Sequence, residues 1–126
     1  MKNEPGKKQS IEYLRRAWEK RAKRKQEELN KLRREALLKA AAAAAHLREK
    51  YRVKAVYLYG SLAWGDHFDR RSDIDLLVEG FPAEASYWRM LAELEGITAP
   101  FEVNVVLSED ASPSLKEKSR KEGKLL

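Results

Sequence analysis

The sequence predicts an α/β domain in which a small β-sheet is covered by helices. Three observations support this fold class. Residues 9–50 contain no Pro or Gly and consist mostly of strong helix formers. Further along, short runs of β-branched and aromatic residues end at Gly or Pro, as strands do. These runs alternate with short helical segments, which is typical of a sheet packed against helices.

The first predicted element is a long helix from about Gln9 to Lys50, with Ser10 as a plausible N-cap. Apolar residues recur in it at helical spacing. The stretch between Glu19 and Glu28 has Ala22 as its single apolar residue. The pattern therefore predicts either one long helix or two helices with a weak point in this stretch.

The remaining elements alternate along residues 53–122. We expect a helical turn between the first two strands, a helix between the second and third, and a final helix that begins at the N-cap Ser112. The predicted strands are Val53–Tyr59, Ile74–Glu79 and Phe101–Leu107, and the predicted helices are Ser61–Gly65, Ala83–Leu94 with Gly96 as its stop, and Pro113–Glu122.

The net charge of +6 conceals two regions of opposite sign. Residues 1–54 carry 18 Lys/Arg against 7 Asp/Glu, whereas residues 55–126 carry 8 against 13. We therefore expect a basic N-terminal helical arm, residues 1–50, and a separate domain, residues 51–126.

The chain has no cysteine, which excludes disulfides and thiolate sites. It also lacks the roughly 20-residue apolar run of a membrane span, so we expect a cytoplasmic protein with no membrane association.

The residues that suggest chemistry lie in the segment 59–80. Gly60-Ser61 follows the first strand and opens a helical turn, where backbone N–H groups and the Ser61 hydroxyl can bind phosphate. Asp73 and Asp75 are two residues apart on a strand and therefore share a face. Paired carboxylates favour Mg²⁺, which usually completes its shell with substrate phosphate. The combination indicates phosphoryl or nucleotidyl transfer.

This pattern resembles the minimal nucleotidyltransferase family of the DNA polymerase β superfamily. The matching residues are Gly60-Ser61, Gly65 and Ser72-Asp73-Ile74-Asp75-Leu76. The resemblance covers about residues 50–126 and implies a small mixed β-sheet. It also implies that Asp73 and Asp75 bind Mg²⁺, that Gly60 and Ser61 hold the nucleotide phosphates, and that AMP is transferred from ATP to a hydroxyl. Many small members resemble antitoxins that modify a tyrosine of a helical HEPN-domain partner.

The chain departs from the family pattern in two places. Where a third carboxylate is usual, it has Asn104, which we include among the catalytic candidates; Glu102, two residues earlier, is an alternative ligand. Where many relatives carry arginines, it has Leu62 and Trp64. Arg70, Arg71 or His67 could then contact the substrate. A catalytically weak or silent fold that acts as an antitoxin, adaptor or nucleic-acid-binding protein is the alternative function. An aminoglycoside-modifying enzyme is a further, lower-ranked option.

The basic helix leaves three interpretations open. Ten Lys/Arg lie between Arg15 and Arg34. They could form a solvated surface with i,i+4 pairs to Glu, a binding surface for RNA or DNA, or an arm that packs against a partner protein or a second copy of the chain. We expect a homo-oligomer, because apolar residues lie at both ends of the arm.

Overall fold

The structure is a computed structural model that describes residues 4–65 and 68–126, with side chains described from Ser10 onward. The chain divides into two compact units, Met1–Lys31 and Leu32–Leu126. Helix α1 runs from Glu4 to Tyr51 as one element, so of the two predicted arrangements the single long helix is correct.

The second unit contains a mixed sheet, as the sequence predicts. In the described part of the chain the sheet has four strands in the order β3-β2-β1-β4. Strand β1 is antiparallel to β2 and β4, and β2 is parallel to β3. The elements that follow α1 are β1 (Ala55–Tyr59), α2 (Ser61–Trp64), β2 (Ile74–Glu79), α3 (Tyr87–Thr98), β3 (Val103–Leu107), α4 (Pro113–Glu122) and β4 (Lys124–Leu125).

The core of this unit forms between the sheet and the alanine-rich end of α1. Ala36, Ala40, Ala43 and Leu47 are fully buried on α1, and they belong to the same hydrophobic cluster as buried strand residues such as Leu76. Alanine has no side chain beyond Cβ, so the helix can approach the sheet closely. The alanine run therefore supplies the surface through which α1 joins the core.

Helix α3 begins later and ends later than predicted. Ser86 is its N-cap, and the Ser86 hydroxyl accepts a hydrogen bond from Arg89 N at 3.2 Å. Gly96 does not stop the helix. The helix continues to Thr98, which is buried and whose hydroxyl donates to Phe101 O at 3.0 Å. Tertiary packing of the last turn therefore overrides the glycine signal.

Two short elements were not predicted. Strand β4 pairs with β1 at Leu58↔Lys124 and Tyr57↔Leu125, and a 3₁₀ turn spans Ser108–Asp110. The three residues after Gly123, Lys-Leu-Leu, give no strand signal, because a two-residue strand is too short for alternation to be visible. In the described residues no helix is long and apolar enough to cross a membrane.

Candidate active site

The predicted carboxylates lie where three neighbouring strands of the sheet are in register. Asp75 is paired with Tyr59 on β1 and with Asn104 on β3. Ile74, Leu76 and Val78 are buried, so the alternation of β2 directs Asp75 to the opposite face of the sheet. Asp73 immediately precedes β2 and shares this face. Side chains from adjacent strands are thereby brought together at one end of the sheet.

Asn104 joins the two carboxylates directly. Its side-chain Nδ2 donates to Asp73 Oδ2 at 2.9 Å and to Asp75 Oδ1 at 3.1 Å. The amide N–H groups partly offset the repulsion between the carboxylates. The two carboxylates and Asn104, the three catalytic candidates from the sequence, thus form one hydrogen-bonded cluster. Glu102 is exposed and lies just before β3.

Gly60 lies against this cluster, at the turn between β1 and α2. Its backbone has φ 77° and ψ −162°, a conformation available almost exclusively to glycine. A Cβ atom at this position would lie 2.3 Å from Asp75 Oδ2. The structure therefore brings the Gly60-Ser61 turn and the carboxylates into contact. Ser61 is half-buried and begins α2, whose first turn is closed by the hydrogen bond from Trp64 N to Gly60 O.

The electrostatics of the cluster are dominated by burial. Desolvation raises the pKa of Asp75, the hydrogen bond from Asn104 lowers it, and the negative charge of Asp73 raises it further. Burial, followed by the charge of Asp75, also raises the pKa of the neighbouring Tyr59. The site therefore favours a positive charge near Asp75.

A cavity of about 410 Å³ adjoins the Asp75 carboxylate. Asp75 and Asn104 form part of its wall, and Tyr59, Tyr87 and Leu91 supply aromatic and apolar surface. The Tyr87 hydroxyl donates to Val105 O at 2.6 Å, which fixes the ring beside the edge strand β3. In the sequence, Tyr87 stands at helical spacing with Leu91 and Leu94, as a packing residue does. Its helical spacing could not reveal that it covers an edge strand beside the acidic pair.

Two further cations were not identified from the sequence. Lys118 Nζ lies 4.2 Å from the centroid of the Trp64 ring, so this aromatic residue carries a cation above it. Arg33 Nη1 is buried and, in the part of the chain that the structure describes, has no hydrogen-bond partner. Both guanidinium Nη atoms of Arg33 are 3.8 Å from the position of a Cβ on Gly65, at the end of α2. Neither contact leaves a trace in local sequence, because each joins distant segments.

Two of the other predicted contact residues, Arg70 and Arg71, precede the acidic pair in the chain. Arg70 and Arg71 are exposed in a turn in which Arg71 N donates to Asp69 Oδ1 at 2.8 Å. His67 lies outside the described residues.

The donor set at the cluster suits a hard divalent cation. Asp73 and Asp75 offer carboxylate oxygens, and the Asn104 amide could turn to present its carbonyl oxygen. Over residues 4–65 and 68–126, no group of three or more His, Cys, Asp or Glu residues is arranged to hold a metal ion. The amide is therefore the neighbouring group that could add a third oxygen to the two carboxylates.

Comparisons with known proteins agree with this geometry. A family model described as "Polymerase beta, Nucleotidyltransferase" matches residues 43–126. A protein of Methanocaldococcus jannaschii named "Putative protein adenylyltransferase MJ1379" is 38% identical over 55 residues, which are 40% of this chain and 54% of that protein. The chain therefore spans about half the length of this relative. The match to the family model includes Gly60, Ser61, Asp73, Asp75 and Asn104.

Proposed function

Because the chain belongs to the polymerase beta nucleotidyltransferase family, we propose that it transfers AMP from ATP to a hydroxyl group of a protein, using Mg²⁺ held by Asp73 and Asp75. The contact of the Gly60 turn with the Asp75 carboxylate carries this proposal. It allows a triphosphate on the turn to lie beside the carboxylates. The name of the archaeal relative, a protein adenylyltransferase, favours a protein acceptor.

The residues of the site have distinct roles in this reaction. The Gly60-Ser61 turn binds the phosphates through backbone N–H groups, and the absence of a Cβ on Gly60 lets the Asp75 carboxylate lie directly against this turn. Asp73 and Asp75 hold Mg²⁺, which neutralises charge on the phosphate oxygens when it is bound. Asn104 keeps the two carboxylates together. The cavity walled by Tyr59 and Tyr87 accommodates the nucleoside or the acceptor side chain; its volume is in the range of about 300–1,000 Å³ that is common for ligand pockets.

The proposed reaction is a displacement at the α-phosphorus. The acceptor oxygen forms a bond to this phosphorus while the bond between the α-phosphorus and the bridging oxygen breaks. The products are the adenylylated acceptor, pyrophosphate and the hydroxyl proton, which is released to solvent. The acceptor that we propose is a tyrosine of a helical HEPN-domain partner, as in antitoxin-type members of the family.

Differential labelling of ATP tests this reaction. The chain is incubated with Mg²⁺, a candidate HEPN-domain protein and ATP labelled on either the α- or the γ-phosphate. We expect the α-label on the acceptor and the γ-label in pyrophosphate, with both signals lost in the Asp75→Asn variant. Transfer of the γ-label would show a kinase instead. An exposed-site control, Asp69→Asn, should transfer AMP like the parent chain.

A second candidate function is a silent fold that binds its partner without transfer. The hydrogen bonds from Asn104 to both carboxylates favour it, because they satisfy the acidic pair without a metal ion. This alternative predicts that partner binding survives the Asp73→Asn and Asp75→Asn substitutions and that neither label reaches the acceptor. Labelling with the parent chain separates the two functions, and a pull-down with the double variant shows whether partner binding needs the aspartates.

A further inference from the structure

The helix of the first compact unit presents its side chains to solvent. From Ser10 to Glu28 every residue except Ala17 is exposed. Residues 10–31 carry eight Lys/Arg against four Glu. This segment therefore supplies a large share of the positive charge of the chain. Few contacts within the protein explain why so many cations lie there.

The cations are not spread evenly around the helix. At about 100° per residue, five of them fall within an arc of about 100° and extend over about 22 Å of helix axis. Glu27 is the one anion on the same arc. We call these five residues the basic stripe: Arg16, Lys20, Lys23, Arg24 and Lys31, all exposed. Tyr13 lies on the same arc, is 73% exposed and precedes the stripe by about one turn.

The stripe is not neutralised within the helix. Glu12, Glu19 and Glu27 each stand four residues before a stripe cation, so i,i+4 pairs were one interpretation of this segment. Yet throughout the described side chains, no carboxylate oxygen lies within 4.0 Å of a stripe cation. Exposed intrahelical pairs are weak in any case. The five cations are therefore available to an external anion.

We propose that the basic stripe binds the phosphate backbone of a double-stranded nucleic acid. The helix holds the five cations along one side, and a duplex offers a regular array of phosphates with one negative charge per about 1.7 Å of its axis. The exposed Tyr13 ring adds a surface on which a backbone sugar can pack. The contact is to the backbone and is therefore independent of base sequence.

The apolar side of the same helix argues against a membrane surface as the anion. Ile11, Leu14 and Trp18 are 58%, 55% and 69% exposed and border a cavity of about 290 Å³ together with Arg15. By the same helical geometry this apolar face lies about 160° from the middle of the basic stripe. A helix that rested on a bilayer through its apolar face would point the stripe away from the lipid headgroups.

Two triple variants of the full chain test the proposal. One removes three stripe cations, Arg16→Gln, Lys20→Gln and Arg24→Gln. Its matched control removes three equally exposed cations of the same helix that lie off the stripe, Arg15→Gln, Arg21→Gln and Lys25→Gln. Both change the charge by the same amount, and glutamine preserves helix propensity, which circular dichroism verifies.

Binding is measured by fluorescence anisotropy with labelled 20-base-pair DNA and RNA duplexes over a range of salt concentrations. For the parent chain we expect the logarithm of the association constant to fall with the logarithm of salt with a slope of about −4, as for four or five phosphate contacts. The stripe variant should bind at least about tenfold more weakly, with a slope nearer −2, whereas the control should keep most of its affinity and slope.

Several results would overturn the proposal. They are the absence of duplex binding, a salt-independent affinity, equal losses in the two triple variants, or a preference for anionic phosphatidylserine vesicles over either duplex. The DNA and RNA arms distinguish the source of the phosphate backbone. Binding of Mg²⁺ and ATP resides in the other compact unit and should be unchanged in both variants, so the outcome is independent of the proposed transferase activity.

Discussion

Replacing Gly60 with alanine tests the structural basis of the site. The new methyl group would begin 2.3 Å from Asp75 Oδ2, whereas ordinary contacts start near 3.4 Å, so the carboxylate must retreat by about 1 Å. That movement breaks the 3.1 Å hydrogen bond from Asn104, which is worth about 1 kcal/mol. Holding a non-glycine residue at φ 77° adds about 1–3 kcal/mol. The expected loss of unfolding free energy is therefore about 2–4 kcal/mol.

Urea denaturation followed by circular dichroism measures this loss, and Gly96→Ala is the matched control. A Cβ on Gly96 meets no atom within 4 Å, and the residue lies inside α3. The control should leave stability unchanged or raise it by up to about 1 kcal/mol, because alanine is the better helix former. If Gly60→Ala stays within about 0.5 kcal/mol of the parent chain, the close contact between the turn and Asp75 is wrong.

Three further predictions concern the acidic pair, the hydrogen bonds of Glu93 to α1 and a buried hydroxyl on α4. Asn104→Asp should lower the melting temperature in EDTA, because the substitution replaces two hydrogen bonds with a like charge. Added Mg²⁺ should raise the melting temperature of this variant more than that of the parent chain. Equal responses to Mg²⁺ would contradict this prediction. Hydrogen bonds from His46, Lys50 and Tyr51 lower the pKa of Glu93 from 4.5 to about 2, so its stabilising contribution should be lost as pH falls from about 4.5 towards 2. Glu93→Gln should flatten the pH dependence of stability in that range, and an unchanged profile would argue against the cluster. Ser119→Ala should raise the unfolding free energy by about 1 kcal/mol, because the buried Ser119 hydroxyl has no hydrogen-bond partner in the described structure. A loss of stability in urea denaturation would contradict this prediction.

Much of the fold could be predicted from local patterns. The mixed α/β architecture, the long α1 and the strand Ile74–Glu79 all follow from periodicity and propensity, which act within a few residues. The errors arise where distant segments decide the outcome. Gly96 remains helical because Thr98 is held by packing, and β4 exists because Gly123 and the following residues reach β1. Such contacts have no local signature.

The candidate site shows the same division. The sequence could predict that Gly60 lies at a turn and that the two aspartates share a face. Glycine favours tight turns, and residues two apart on a strand point to the same side. What Asn104 does could not be predicted, since its hydrogen bonds to Asp73 and Asp75 depend on the register of β2 with β3. The positions of Arg33 beside Gly65 and of Lys118 above Trp64 likewise depend on helix packing.

Titration calorimetry of ATP into the chain, with and without Mg²⁺, tests the central claim most directly. If the turn at Gly60 and the carboxylates of Asp73 and Asp75 form one nucleotide site, Mg²⁺ should tighten ATP binding at least about tenfold. The Asp73→Asn, Asp75→Asn double variant should lose that gain and the Asp69→Asn control should keep it. ATP binding that is indifferent to Mg²⁺, or a gain that persists in the double variant, would contradict the account.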